Sequence, residues 1–340
     1  MTLDPVQLTR QLIDIDSTTY SEGLVGAFLA ELLAARDFAV ERMHVASKGE
    51  DGATTDRFNL YATVPGERPE VVFSTHMDTV PPYFSSREDD EAIYGRGACD
   101  AKGIIAAQIA AVERLRAGGV KAGMLFVVGE ERDSAGALVA NEQPRGSRFL
   151  INGEPTDNRL GVASKGVLRG AVRATGKMAH SAYPELGESA INKLIQALNN
   201  VMHIDLPEED GIGPSTLNIG LIEGGRAPNV IADKALAQVM VRLVGPSDET
   251  RAALEKAIAG FAEIEYTLEI PFMRFRTMEG METMVAAFAT DIPALTNWGE
   301  PLLLGPGSIH VAHTPHEKLA KRELFEAIDL YTEIASKLVA

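Results

Sequence analysis

The order of apolar patterns along the chain changes twice, and this constrains the fold more than any single motif. Over the first half, helical and strand-like runs alternate. Leu24, Val25, Phe28, Leu29, Leu32 and Leu33 follow helical spacing. Val71-Val72-Phe73 is strand-like and leads into Ser74-Thr75-His76. Gly103–Leu115 reads as a helix rich in Ala and Ile, and Met124–Val128 and Phe149-Leu150-Ile151 as buried strands. Such alternation predicts an α/β fold with a parallel or mostly parallel sheet covered by helices. From about Lys165 the order becomes strand Val167–Thr175, helix Ser189–Asn200, strands Thr216–Ile222 and Leu236–Leu243, helix Asp248–Gly260 with Asp248 as N-cap, and strand Glu263–Ile270. This is the β-α-β-β-α-β order of a split, ferredoxin-like α+β unit. After Pro271 the chain returns to loops and helices and ends in an amphipathic helix near Ala320–Leu338. The expected organisation is one domain over residues 1–164 and 272–340, interrupted by a second over residues 165–271.

Charge narrows the partners. Lysine and arginine number 32 against 48 aspartates and glutamates, so the net charge is 32 − 48 = −16. Duplex nucleic acid and anionic membranes both demand cations, so neither is an expected partner. The longest apolar stretch, Ile104–Val112, is broken by Gln108 and falls short of the roughly 20 residues that span a bilayer. Met1–Arg10 has no apolar core of a secretory leader. Cys99 is the single cysteine and has no intrachain partner, which fits a cytoplasmic location.

Residues with chemistry gather after the strands of the first half, where α/β sheets place their sites. His76 and Asp78 form His-x-Asp at a strand end, where a carboxylate can take the second N–H of a metal-bound imidazole. Asp100 lies in Gly95-Arg96-Gly97-Ala98-Cys99-Asp100-Ala101-Lys102-Gly103. The glycine spacing there fails both the phosphate-loop and the dinucleotide patterns, which argues against a kinase or ligase. Cys99 reads as a small buried residue rather than a nucleophile. Glu130-Glu131 follow a buried strand after Gly129, and two like charges there call for a shared cation or proton. Glu154 repeats the theme. His310, His313 and His316 share a Gly- and Pro-rich loop that cannot be helical, and at least one of them could be a ligand. His44 and His203 read as surface residues, and Asp89-Asp90-Glu91 as a solvated turn. Two histidines and four carboxylates exceed one tetrahedral ion and suit two bridged ions, with zinc, cobalt or manganese matching the donors.

In order and spacing these motifs resemble the dinuclear-zinc aminoacylases and carboxypeptidases, which include acetylornithine deacetylase, succinyl-diaminopimelate desuccinylase and the glutamate carboxypeptidases. The match runs from His76-Met77-Asp78-Thr79-Val80-Pro81 through Asp100-Ala101-Lys102-Gly103, Gly129-Glu130-Glu131, Glu154, Gly176 to His180-Ser181, and Gly224-Gly225 to Asn229, and ends at Gly305-Pro306-Gly307 to His313-Thr314. The resemblance implies two Zn²⁺ per subunit, with Co²⁺ or Mn²⁺ as substitutes. Asp100 would bridge the ions, His76 and Glu154 would complete one site, and Glu131 and His313 the other. Asp78 would orient His76, and Glu130 would be the general base acting on the bridging water. His180 would stabilise the oxyanion, while Asn229 and Arg242 would hold a substrate carboxylate. The family's Ala-His-Thr pattern selects His313; His310 and His316 read as solvated loop, with substrate contact the alternative for His316, which falls where the family often has Asp or Asn before Glu. The resemblance also implies a homodimer formed through the inserted lid domain, with His180 reaching the partner's site. The implied reaction is hydrolysis of an N-acyl amino acid with a free carboxylate, as in acetylornithine deacetylase. The alternative is a dipeptidase or carboxypeptidase acting on short peptides. In this family Glu at position 154 accompanies acylases and carboxypeptidases, whereas aminopeptidases tend to have Asp. A non-catalytic amino-acid-binding relative would lack Glu130 or a ligand, and none is missing.

Overall fold

The computed structural model describes residues 3–46 and 56–340. Met1 and Thr2, which open the stretch read for a leader, lie outside them. The described residues divide into two compact units. The first takes in residues up to Val162 with Phe275–Met284 and Thr290–Ala340; the second is Ala163–Arg274 with Val285–Ala289.

The first unit is built on a six-stranded sheet ordered Ala39–His44, Phe58–Thr63, Ala122–Val127, Val71–His76, Phe149–Asn152 and Glu300–Leu303. The last four run parallel to one another, and the first two join antiparallel at one edge. Neighbouring side chains on a strand point to opposite faces, so a continuous apolar run needs cover on both. Both faces are covered. Phe73, Met124 and Phe126 meet Ile105 and Ile109 of helix Gly103–Ala117 and Tyr331 of helix Lys321–Val339 in one buried cluster. Val72, Leu125, Val127 and Leu150 point the other way, into a cluster with Tyr61 and Trp298. Trp298 is sealed there, its Nε1–H donating to the Ala140 carbonyl at 2.9 Å and its ring edge-on to Tyr61 at 5.6 Å. Helix Lys321–Val339 buries Leu324, Ala327, Ile328, Tyr331, Ile334, Ala335 and Leu338, a single stripe at three- and four-residue spacing. In helix Gly23–Ala34 the stripe is Val25, Leu29 and Leu33, and Leu24 lies off it, 73% exposed.

The second unit carries an antiparallel four-stranded sheet ordered Thr216–Gly224, Lys234–Leu243, Gly166–Thr175 and Glu263–Ile270. Strand Lys234–Leu243 buries Ala235, Ala237, Val239, Val241 and Leu243 in alternation, as a sheet covered on one face requires. Helices Ala190–Val201 and Asp248–Ile258 supply that cover through Leu194, Leu198, Val201, Leu254 and Ile258.

Two details differ from the sequence reading. Asp248 is the first residue of its helix and not the cap; Ser247 precedes it, and its hydroxyl donates to Glu269 Oε1 at 2.6 Å instead of capping. A carboxylate in the first turn still offsets the helix dipole, so the residue type signalled the terminus one position late. Residues 285–289 group with the second unit, where the Lys165 N–H donates to the Ala286 carbonyl at 2.8 Å. Among the described residues no helix is long and apolar enough to cross a membrane. The acidic turn is exposed as expected, and Asp89 also ties it, accepting from the Glu91 and Ala92 N–H groups and the Tyr94 hydroxyl.

Candidate metal centre

Strands Val71–His76, Ala122–Val127 and Phe149–Asn152 are mutually parallel, so their carboxyl ends share one edge of the sheet. His76 ends the first, Glu130 and Glu131 follow the second, and Glu154 lies two residues past the third. Asp100 reaches the same edge from the turn before helix Gly103–Ala117, and His313 from the loop before helix Lys321–Val339. The two oxygens of Asp100 divide between the histidines. Oδ1 lies 2.9 Å from His76 Nε2 and Oδ2 lies 3.3 Å from His313 Nε2. His313 Nε2 also meets Glu131 Oε1 at 3.1 Å, from a backbone with φ of +60°.

Asp78 sits behind this edge, fully buried. His76 Nδ1 donates to the Asp78 carbonyl at 2.9 Å, with the carboxylate Oδ1 at 3.6 Å. That bond fixes the tautomer and leaves Nε2 facing Asp100. The Asp78 carboxylate accepts four bonds elsewhere: from the N–H groups of Gly129, Glu130 and Glu131 at 2.9, 3.1 and 3.2 Å, and from the Thr19 hydroxyl at 2.9 Å. Gly129 has φ of +82°, and a Cβ there would lie 2.4 Å from Arg57 Nη2. The tandem glutamates therefore hang on a turn that only glycine can open, clasped by Asp78 from behind.

The electrostatics follow from crowding carboxylates out of water. Burial lifts Glu130 well above the carboxylate range, and the Glu154 charge adds to this. Burial also lifts Glu154 well above that range, partly offset by His76, and raises Glu131. For Asp100, burial is outweighed by the bonds from His313 and His76, which hold it low; for Asp78, burial is outweighed mainly by His76. His313 is pushed up to about 10 by its bonds to Asp100 and Glu131. Burial alone would lower His76, but the Asp100 and Asp78 carboxylates carry it well above the ordinary imidazole value. Such a site gathers negative charge that only cations or protons can offset.

The donor set fits two divalent ions. His76, Asp100 and Glu154 present ligand atoms within 4.8 Å of one another, as do Asp100, Glu131 and His313, and as do His76, Glu130 and Glu131. The first two groups share Asp100. Glu154 Oε1 is buried with no hydrogen-bond partner, a state that a bound cation relieves. A potential dinuclear site is thus present, with the nitrogen and oxygen donors that suit zinc, cobalt or manganese. Cys99 stays outside it; burial raises its thiol well above the usual value, as suits a packing residue.

The remaining expected residues lie in the second unit. His180 and Asn229 are exposed neighbours there: the Ser181 N–H donates to the Asn229 carbonyl at 3.0 Å, and His180 bridges to Val230. Arg242 stands on strand Lys234–Leu243, half-buried, its guanidinium with no hydrogen bond or ion pair among the described residues; burial lowers its pKa. His310 and His316 are exposed, as are His44 and His203.

Three residues near the centre carried no role in the sequence reading. Asp291 is fully buried, and burial raises it to about 7 against the pull of the Ser134 hydroxyl. Glu317 is buried against Arg96. Glu22 faces Arg57 at 3.5 Å with both side chains fully buried.

A profile of peptidase family M20/M25/M40 matches residues 72–337. A peptidase M20 domain-containing protein of Schizosaccharomyces pombe is 39% identical over 336 residues, covering 96% of this chain and 82% of that protein. A probable carboxypeptidase of Aspergillus terreus is 38% identical over 364 residues, covering 96% of this chain and 84% of that protein. Among solved structures, aminopeptidase PepT from Bacillus cereus superposes with a TM-score of 0.80 at 21% identity, covering 99% of this chain and 98% of that one, a likeness of fold. An α/β sheet with this cluster at its strand ends is that of a metal-dependent hydrolase acting on carbon–nitrogen bonds. The chain belongs to peptidase family M20/M25/M40.

Proposed function

We propose that the protein hydrolyses a peptide or amide bond adjacent to a free carboxylate, acting as a carboxypeptidase or dipeptidase on short peptides. The observation that carries this reading is the shared Asp100, with one oxygen beside His76 and the other beside His313, in two groups completed by Glu154 and by Glu131. Similarity to a probable carboxypeptidase supports the peptide substrate over the N-acyl amino acid of an acetylornithine deacetylase-like enzyme. Two Zn²⁺ held by these five residues would supply Lewis acidity and an activated water.

The chain's own groups do the rest. Glu130 takes a proton from the attacking water and returns it to the leaving nitrogen. Burial raises its carboxyl above the ordinary carboxylate range, the direction a proton carrier needs. Asp78 holds the Glu130 backbone and, through its carbonyl, the His76 ring. Arg242 offers a planar fork for a substrate carboxylate, and Asn229 a further donor. His180 donates to the developing oxyanion. In this reading the second unit is a ferredoxin-like lid and dimerisation domain, and the protein is a cytoplasmic homodimer in which His180 serves the partner's centre.

The test is a hydrolysis screen over dipeptides, N-acetyl and N-succinyl amino acids and their C-terminal amides, with metal-loaded and chelated enzyme. Peptides with a free carboxylate should be turned over fastest, and chelation should abolish turnover until Zn²⁺ or Co²⁺ is restored. Full activity in protein shown to be metal-free would end the proposal.

A further inference from the structure

Arg96 follows strand Ala92–Tyr94, and Glu317 precedes strand Lys318–Ala320. These strands pair antiparallel with Tyr94 opposite Lys318, so the two side chains meet just beyond the ends of the ladder. They form a buried ion pair, Arg96 Nη1 to Glu317 Oε2 at 2.6 Å, with side chains 2% and 1% exposed. Arg96 Nε also donates to the Pro82 carbonyl at 3.3 Å, which sets the plane of the guanidinium. The other oxygen, Glu317 Oε1, accepts from the backbone N–H groups of Cys99 and Asp100, each at 3.3 Å.

Glu317 is in none of the groups able to hold an ion. It nevertheless touches the backbone of Asp100, which two of those groups share, and it stands four residues after His313 on the same loop. We propose that Glu317 is a positioning residue: braced by Arg96, it holds the backbone of Asp100 in register with the His313 loop, so that one carboxylate reaches both histidines. The inference rests on the two-metal reading. Carboxylates bonded to charged or backbone donors are strong and directional, and a buried one that loses a partner leaves the other uncompensated. A charged pair is retained here because its two oxygens do two tasks. One takes the guanidinium and the other takes the N–H pair.

The test reads metal affinity, not turnover. Full-length protein is loaded with Zn²⁺ and titrated against a chromophoric chelator. To avoid a stranded guanidinium, two variants are compared in an Arg96→Met background. Glu317→Gln keeps an oxygen for the two N–H groups, and Glu317→Leu has similar volume but no acceptor. The leucine variant should bind zinc about 10–100-fold more weakly than the glutamine variant, the range typical for lost outer-shell partners. Glu317→Asp in the wild-type background gives a second reading. It keeps the charge but, one methylene shorter, serves Arg96 or the N–H pair and not both, so zinc should bind several-fold more weakly. Equal affinities across these folded proteins would overturn the role of Glu317 while leaving the two-metal reading intact. A wild-type chain that binds no zinc would instead remove the premise.

Discussion

The Asp78 carboxylate accepts the backbone N–H of Glu130 at 3.1 Å, and in the same clasp those of Gly129 and Glu131. The residue expected to orient a histidine thus grips the turn that carries Glu130, the proposed general base. Its link to His76 runs first through its carbonyl. Asp78→Asn should therefore impair the proton-transfer step more than the histidine. An amide has one acceptor oxygen for four donors, and its NH₂ would face a backbone N–H. We expect kcat to fall by about 100-fold or more, in the range of a lost general base, with KM changed only a few-fold. Steady-state kinetics on a dipeptide would check it. A large rise in KM at constant kcat would contradict it.

The tandem glutamates separate by metal content. Glu130→Ala should cost orders of magnitude in kcat and keep about two zinc ions per chain, since the proposed ligand sets close without it. Glu131→Ala should lose zinc as well as activity, because its carboxylate meets His313 and Asp100. Elemental analysis of the two purified variants decides, and the opposite pattern would exchange the roles.

The buried pair Glu22–Arg57 gives a pH test that involves no proposed ligand. Burial, and then the Asp78 charge, raise Glu22 from 4.5 to about 7 in the fold against the pull of Arg57. A carboxyl with a raised folded pKa binds more protons folded than unfolded between those values. Stability therefore falls as pH rises through that window. Relative to Glu22→Gln, the wild type should lose about 3 kcal/mol between pH 4.5 and pH 7. Denaturant unfolding of both proteins at several pH values measures this, and parallel profiles would contradict it.

Strand ends and the residues that cluster there were legible because each is announced locally. Apolar runs stop at His76, before Glu130-Glu131 and before Glu154, and a run buried on both faces has few places to end. Glu317, Glu22, Arg57 and Asp291 were not legible. Each is a charged type that normally lies on a surface, and its burial depends on chain far away in sequence, as when Glu317 meets Arg96. The one-residue offset at Ser247 arose because serine and aspartate are both good caps. The preference for peptide over N-acyl substrate rests on similarity, since the residues proposed to hold the carboxylate would serve both.

Arg242 is half-buried with a guanidinium that has no partner among the described residues. Arg242→Lys retains the charge and loses the fork. KM for substrates with a free α-carboxylate should rise about 10-fold, corresponding to the loss of one charge-assisted bond. The corresponding amides should be poor substrates already for the wild type. Equal wild-type turnover of acid and amide would remove Arg242 from the site.

Action of His180 on a partner's centre can be read by complementation. Inactive Glu130→Ala and inactive His180→Ala chains are mixed under subunit exchange. Half the dimers are then mixed, and each holds one centre with both groups intact. About a quarter of wild-type activity should return. No return after proven exchange would place His180 within its own chain or outside the reaction.

Trp298 is the only tryptophan of the chain, and it lies sealed in the first unit with its indole N–H bonded to Ala140. Its emission is therefore a built-in optical gauge of one unit alone. A red shift on denaturation times the opening of the sheet that carries His76 and Glu154, while the second unit can unfold without an indole to report it. Comparing that signal with backbone circular dichroism would reveal whether the two units melt together or in turn, with no label added to the protein.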